Sequence, residues 1–394
     1  MEVHRLAVAG REASIARMVG GALGRVWLAR SRFADVARLA QHTLTLGDDA
    51  SAHYQLGWAQ HSTGSPWAAL DSYARALKLY QTAEDHGNEA VTLSNIGLVY
   101  DGLGDRRRAL TYYEQALLIL REVGDRAGEA ATFNNIGLVY DGLGDRRRAL
   151  TYYEQALLIL REVGDLGGEA ATLNNIGLVY KRLGDQEQAL SYYEQALLIL
   201  REVGDRAGEA TTLSNIGGAY HGLHDREQAL SYYEQALPIT REVGDRVGEA
   251  TILNNIGGVH LGMGDREQAL SYYEQALPIR REVGDRAGEA ATLNNIGMVY
   301  NGLGDQQRAL GYYEQVLPIL REVGDRFGEA VTRYNLAMIY RRGGELDRAV
   351  VELEQVVGLD RQVGHPDLES DTAMLEQVRR EQEQGGSAAG AGSA

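Results

Sequence analysis

The chain has 394 residues, no cysteine and a formal net charge of −16. The lack of cysteine excludes disulfides, thiolate metal ligands and a cysteine nucleophile, and it fits a reducing compartment. The negative charge argues against binding to nucleic acid or to an anionic membrane, and no apolar run reaches the ~20 residues of a membrane-spanning helix. We therefore predict a cytoplasmic protein that binds neither.

Residues 1–48 are predicted to form a degenerate N-terminal repeat or cap. Gly24, Trp27, Val36 and Leu44 stand at places that partly match a stronger pattern downstream. Because an array of repeats must cover the apolar face of its first unit, an atypical terminal unit is expected here.

Residues 49–364 carry a sequence period of forty residues. The letters NIGLVYDGLGDRRRAL occupy positions 95–110 and return unchanged at 135–150. A fixed period of this length is typical of a solenoid, in which each unit needs its neighbour to bury its apolar face. Eight clear units follow one another, and the predicted fold class is all-α.

One unit, Asp165–Gly204, shows how the period builds a pair of antiparallel helices. Asp165 can cap a helix by accepting hydrogen bonds from free backbone amides. Residues Leu166–Arg182 then place apolar side chains at helical spacing, and Gly184 ends this helix. A second helix is predicted over Gln186–Val203.

Small, aliphatic and aromatic residues recur at fixed places in every unit. In the unit above they are Leu173, Ile176, Gly177, Tyr180, Ala189, Tyr193 and Ala196. This pattern resembles the tetratricopeptide repeat, with a period of 40 residues in place of 34. The long form is similar to the repeats of the kinesin light chain, of the LGN/Pins adaptors and of sensor arms of bacterial NTPases and regulators. The resemblance implies a right-handed α-solenoid whose first helices line a concave groove.

Residues 365–384 are predicted to form a C-terminal capping helix, and residues 385–394 a disordered tail. Pro366 suits the start of a helix, and Leu368 and Leu375 belong to a partial apolar stripe. The final letters GGSAAGAGSA offer too little apolar surface to pack.

An asparagine recurs in the first helix of seven of the eight units. These residues are Asn95, Asn135, Asn175, Asn215, Asn255, Asn295 and Asn335. Four further asparagines directly precede members of this set: Asn134, Asn174, Asn254 and Asn294. The resemblance implies that they face the groove and grip an extended peptide, since a carboxamide offers the acceptor and donors that match a peptide bond. Alternatively, each asparagine bonds to the neighbouring first helix and fixes the stacking.

Positions that vary beside the asparagines are expected to give selectivity. Leu138, Leu178 and Asp141 are predicted contacts of the peptide. Gly218 and Gly258 stand in mid-helix, where glycine is unfavourable. They either make room for a bulky ligand side chain or pack tightly.

No residue pattern indicates catalysis, a metal or a cofactor. Neither Lys78 nor Lys181 follows a glycine, as a phosphate-binding loop requires. His221 and His224, followed by Asp225, resemble a metal-ligand cluster, but they stand at an inter-helix turn and are interpreted as exposed surface.

The predicted function is a non-enzymatic scaffold that binds a peptide or a partner helix in the groove. The negative charge makes a strongly acidic partner unfavourable. One alternative is a sensor or regulatory arm of a bacterial signalling or transcription-control NTPase system. Another is an enzyme built on helical hairpins, against which the near-identical units argue. The sequence does not predict an oligomeric state.

Overall fold

The computed structural model describes residues 1–28 and 30–391, with the backbone alone over 385–391. This part of the chain contains twenty α-helices and no β-strand, so the predicted all-α class, a solenoid of antiparallel helix pairs, is confirmed. The helices form two compact units, Met1–Val203 and a second unit that begins at Gly204. The division falls inside the predicted array 49–364, between two of its helix pairs. None of the described helices is both long enough and apolar enough to span a membrane.

The first unit contains a short helix followed by helix pairs. Within each pair the two helices pack along their length. The helices are α1 (Glu2–Ala9), α2 (Ala13–Leu28), α3 (Phe33–Leu44), α4 (Ala50–Ser62), α5 (Pro66–Thr82), α6 (His86–Gly102), α7 (Arg106–Val123), α8 (Arg126–Gly142), α9 (Arg146–Val163), α10 (Leu166–Leu183) and α11 (Gln186–Val203).

The second unit contains four helix pairs and a final single helix. Its helices are α12 (Arg206–Gly222), α13 (Arg226–Val243), α14 (Arg246–Met263), α15 (Arg266–Glu282), α16 (Arg286–Leu303), α17 (Gln306–Val323), α18 (Arg326–Arg342), α19 (Leu346–Val363) and α20 (Leu368–Ala391). The last helix packs against α19. It extends over residues 385–391, where a disordered tail was predicted, and residues 392–394 lie outside the described residues.

Aspartate caps and left-handed turn residues set the ends of the helices. Asp165 Oδ1 accepts the backbone N–H of Gly168 at 2.9 Å, which satisfies one of the free amides in the first turn of α10. Gly184 ends the same helix at φ 84°, a conformation that disfavours side chains. In the turn between α12 and α13, His224 adopts the left-handed conformation that glycine adopts in most of the other turns, at φ 62°.

A tyrosine ring lies against the glycine of each interior pair. A Cβ atom added at Gly137 would stand only 2.6 Å from Cε1 of Tyr153, so a larger residue would have to displace the ring. Tyr153 is fully buried and also belongs to one cluster with Leu173 and Ile176 of the next pair. The close approach of glycine and tyrosine therefore sets the spacing both within a pair and between pairs.

The first helices of successive pairs lie closer together than the second helices. In the first unit α4, α6, α8 and α10 form a row in which each helix contacts the next. In the second unit α12, α14 and α16 do the same, whereas the second helices make no comparable contacts in the described part of the chain. Within each unit, the first helices therefore lie on the inner side of the row.

Candidate peptide-binding face

The inner face of each unit is built from one stripe of its first helices. On α8 this stripe includes Ala131, Asn135 and Leu138, whose spacing puts them on one side of a helix. Leu138 is 41% exposed, whereas Asn135 is half-buried beside it. All the predicted ladder asparagines, and the four asparagines that precede members of the ladder, are likewise half-buried.

Some asparagines bridge one first helix to the next. Asn134 Oδ1 accepts hydrogen bonds from Asn175 Nδ2 at 3.1 Å and from Thr172 Oγ1 at 3.3 Å. In the second unit Asn254 Oδ1 accepts from Asn295 Nδ2 at 3.2 Å. These amides stabilise the stacking of α8 on α10 and of α14 on α16.

Asn95 is held differently, by the phenol of Tyr54. Its Nδ2 donates to the Tyr54 hydroxyl at 3.0 Å and to the Val91 carbonyl at 2.9 Å. Burial raises the pKa of Tyr54 to about 12, although the hydrogen bond from Asn95 acts in the opposite direction. The phenol is therefore neutral at physiological pH and keeps its own proton to donate.

Four ladder asparagines have no intramolecular hydrogen bond from their side chains within the described part of the chain: Asn135, Asn215, Asn255 and Asn335. For Asn135 and Asn255 the reason is visible in the preceding repeat. Ser94 and Ser214 stand there in the place of an asparagine, and a serine side chain is one group shorter. Ser94 Oγ instead lies 3.4 Å from Thr132 Oγ1.

The other predicted contacts differ in their accessibility. Asp141 is only 9% exposed and forms an ion pair with Arg182 of the following first helix. It therefore connects α8 to α10 and is not open to a ligand. Leu178 is half-buried, so among these three residues Leu138 is the most accessible.

A cavity of about 280 Å³ opens beside Asn215 in the second unit. Its walls include Ser214 and Asn215 of α12 and the apolar side chains of Val247 and Ile252 of α14. One turn beyond Asn255 on α14, a Cβ atom added at Gly258 would meet only the hydroxyl of a tyrosine, at 3.7 Å. Tight packing therefore does not require this glycine.

A second cavity, of about 350 Å³, lies in the first unit and was not predicted. Tyr54, Gln55 and Trp58 of α4 line it, with Tyr80 and Arg25. The sequence did carry a signal, because Tyr54 and Trp58 occupy the places of a serine or asparagine and of a leucine in the next three repeats. Aromatic residues at these two places enlarge the apolar surface of the inner face.

Among the described residues, no group of three or more histidine, aspartate or glutamate side chains could hold a metal ion. His260, which replaces a tyrosine of other repeats, stacks on Tyr272 with ring centroids 5.4 Å apart. The inner face thus offers carboxamides and apolar surface to a ligand.

Comparison with solved structures finds the same fold in other proteins. BtubC (BKLC) from P. vanneervenii is 25% identical, with a TM-score of 0.50 over 55% of this chain and 91% of that chain. The signal transduction ATPase with a tetratricopeptide repeat sensor from Pyrococcus horikoshii is 19% identical, with a TM-score of 0.62 over 79% of this chain. This chain covers 47% of that ATPase. The quorum sensor NprR from B. thuringiensis is 16% identical, with a TM-score of 0.61 over 93% of this chain and 99% of that chain.

Comparison with curated proteins found no match. A family model described as tetratricopeptide repeat matches residues 68–122, 88–162, 168–242 and 248–322. A second model of the same description matches residues 330–363. Since these matches cover well over half of the sequence, the chain belongs to the tetratricopeptide repeat family.

Proposed function

We propose that this chain is a protein-interaction scaffold that binds an extended peptide on the inner face of its first helices. The observation that carries the proposal is the set of half-buried asparagines without an intramolecular partner. A carboxamide has one acceptor oxygen and two donor hydrogens, which match the C=O and N–H of a peptide backbone. Such contacts bind the backbone of a peptide and require no particular side chains on that peptide.

The spacing of the repeats suits an extended ligand. Packed helices lie roughly 8–10 Å apart, and an extended chain advances about 3.3 Å per residue. One asparagine would then meet the peptide at roughly every third residue. A peptide side chain could enter the space between two successive first helices.

The second unit is the better candidate for the peptide. Three of the four asparagines without a partner belong to it: Asn215, Asn255 and Asn335. It also contains the cavity beside Asn215, and Gly258 stands where the first unit has Leu178. We infer that this glycine makes room for a ligand side chain, since the packing around it does not exclude a larger residue.

The alternative, a sensor arm of a switching protein, needs the same face. The similar ATPase is described as having a tetratricopeptide repeat sensor, and NprR is described as a quorum sensor. These likenesses of fold are compatible with a peptide signal as the ligand. A peptide-binding experiment is therefore the first test of either function.

The test is to select a randomised linear-peptide display library on the full chain and to measure the enriched peptides by fluorescence polarisation. We expect the triple variant Asn215→Ala, Asn255→Ala, Asn335→Ala to bind them at least about tenfold more weakly, with an unchanged melting temperature. Gly258→Leu should also weaken binding while the melting temperature stays the same or rises, because glycine is a poor helix former.

The matched control is the pair Asn175→Ala and Asn295→Ala, whose amides bridge successive helices. This variant should lower the melting temperature more than the triple variant does. Peptides that bind the triple variant as well as the natural chain would contradict the proposal, as would a library that yields no peptide above background.

A further inference from the structure

A cavity of about 400 Å³ lies beside the last repeat of the second unit. Its walls include Tyr334 of α18, Asp360 of α19 and His365 in the turn before α20. Asp367 and Asp371, around the start of α20, complete an acidic wall. Neither the repeat pattern nor the proposed peptide face explains why three carboxyl groups meet here.

Asp360 is the residue that most needs an explanation. It has no exposed surface (0%), and no N–H or hydroxyl group of the described residues donates to either carboxylate oxygen. Its polar neighbour is another carboxyl group, that of Asp371. The earlier repeats of this unit carry Thr240, Arg280 and Leu320 at the same place. The buried Arg280 is neutralised by Asp285 at 2.5 Å, whereas Asp360 has no such partner. Since an unpaired buried charge is strongly unfavourable, packing alone does not account for Asp360.

The groups around Asp360 do not neutralise it. Burial, followed by the hydrogen bond and the charge of Asp360, raises the pKa of Asp371 to about 6. Below that pH the protonated Asp371 carboxyl can donate to Asp360, whereas at neutral pH Asp371 is mostly ionised and cannot. His365 Nδ1 accepts the backbone N–H of Asp367 at 3.0 Å, so this nitrogen carries no proton. His365 Nε2 is buried without a partner.

The arginines near the cavity are engaged elsewhere. Arg341 donates to Glu381 at 2.9 Å, and Arg333 donates to Glu329 at 3.1 Å. The cavity therefore has an excess of negative charge with one fully buried carboxylate on its wall. A positively charged ligand would supply the missing partner.

The composition of the cavity favours an organic cation. Among the described residues, no three or more histidine, aspartate or glutamate side chains are placed so that they could hold a metal ion together. The space is also far larger than a bare ion needs. A guanidinium pairs with a carboxylate through two parallel hydrogen bonds, and the ring of Tyr334 can contact its flat face. We propose that this cavity binds a guanidinium or alkylammonium group through Asp360 and Asp371. The inference does not depend on the peptide face.

The test is isothermal titration calorimetry of the full chain with agmatine, N-acetyl-arginine methylamide and calcium chloride. Agmatine represents a free small cation, and the blocked arginine represents a side chain within a peptide. We expect one binding site for at least one of the two organic cations and none for calcium. Preference for the blocked arginine would indicate a peptide as the source of the cation, and preference for agmatine a free metabolite.

Two variants remove the carboxylates, and one serves as their control. Asp360→Leu restores the residue of the preceding repeat, so it should fold, melt at a higher temperature and bind the cation at least about tenfold more weakly. Asp371→Asn should weaken binding to a smaller extent. Glu369→Gln removes an exposed charge that does not line the cavity and should bind as the natural chain does. Unchanged binding by Asp360→Leu, calcium binding that depends on Asp360, or no binding of either organic cation would overturn the proposal.

Discussion

The repeat α16–α17 and the repeat α18–α19 form the same contact between helices with different residues. In α16–α17 a Cβ atom at Gly297 would lie 2.8 Å from Cε1 of Tyr313, so only glycine fits under the ring. In α18–α19 the same two places hold Ala337 and Leu353, both fully buried in one cluster. A smaller partner across the contact leaves room for the extra methyl group. The two positions must therefore change together. The repeat motif is thus a set of contacting residue pairs, in which the size of one residue depends on the size of the other.

The last repeat also differs because its outer neighbour is a single helix. In α16–α17 Tyr300 stacks on Tyr312 with centroids 5.6 Å apart. In the last repeat Glu352 stands in the place of Tyr312, and Tyr340 keeps the arginine contact that Tyr300 also has, with Arg348 at 4.1 Å from its ring centroid. Contact with α20 replaces contact with a further repeat, so the residues of the last repeat are free to depart from the pattern.

The largest effect is expected from removing the ring of the interior repeat. Tyr313→Ala should lower the free energy of unfolding by about 3–5 kcal/mol, because a fully buried aromatic side chain leaves a cavity over Gly297. Urea unfolding followed by circular dichroism measures this loss. Tyr313→Phe is the matched control, and it should be nearly neutral because the buried hydroxyl has no hydrogen-bond partner.

A smaller effect is expected from exchanging the pair itself. Gly297→Ala should cost about 1–3 kcal/mol from overpacking, less up to about 1 kcal/mol for its better helix propensity. Adding Tyr313→Leu should recover part of that loss, because this combination reproduces Ala337 and Leu353. A double-mutant cycle on urea unfolding gives the coupling energy. Additive effects of the two substitutions would show that the pairs are independent.

The smallest effect concerns the acidic end of the last repeat. The folded-state pKa of Asp371, about 6, lies above its ordinary value of 3.8. The folded chain therefore holds a proton that the unfolded chain has released, and its stability falls as pH rises through this window. Asp371→Asn should be more stable than the natural chain by about 1 kcal/mol at neutral pH, allowing for solvent screening, and equal to it below pH ~4.

Urea unfolding of both proteins across this pH range measures the difference. A difference that does not change with pH would show that Asp371 has an ordinary pKa. It would then leave the interior and terminal repeats alike in their response to pH.

Much of the fold follows from local rules that a sequence displays. The aspartate before most of the helices, the glycine after many of them and the spacing of apolar residues are all short-range signals. The division into two units at Gly204 was not predicted, because residues on both sides of it follow the same repeat pattern. The extension of α20 to Ala391 was also missed, since a segment rich in glycine and serine is a weak signal for a helix.

The candidate site was only partly predictable. The positions of the asparagines and their placement on one helix face follow from the period, but their hydrogen bonds do not. Asn175 and Asn135 stand in the same sequence context, yet only Asn175 finds an acceptor, because Asn134 precedes it by one repeat and Ser94 precedes Asn135. Asp141 was predicted to contact the peptide, but in the structure it forms an ion pair with Arg182.

The sequence by itself determined that this chain is an array of helix pairs, because capping, glycine conformation and helical periodicity act within a single repeat. Only the tertiary structure decided which polar groups are paired and which remain open. The partner of a side chain at one position lies about forty residues away on another helix, and a serine in place of an asparagine there leaves it out of reach. For the same reason Asp360 was inconspicuous in the sequence, whereas the structure buries its carboxyl group completely at the end of the array.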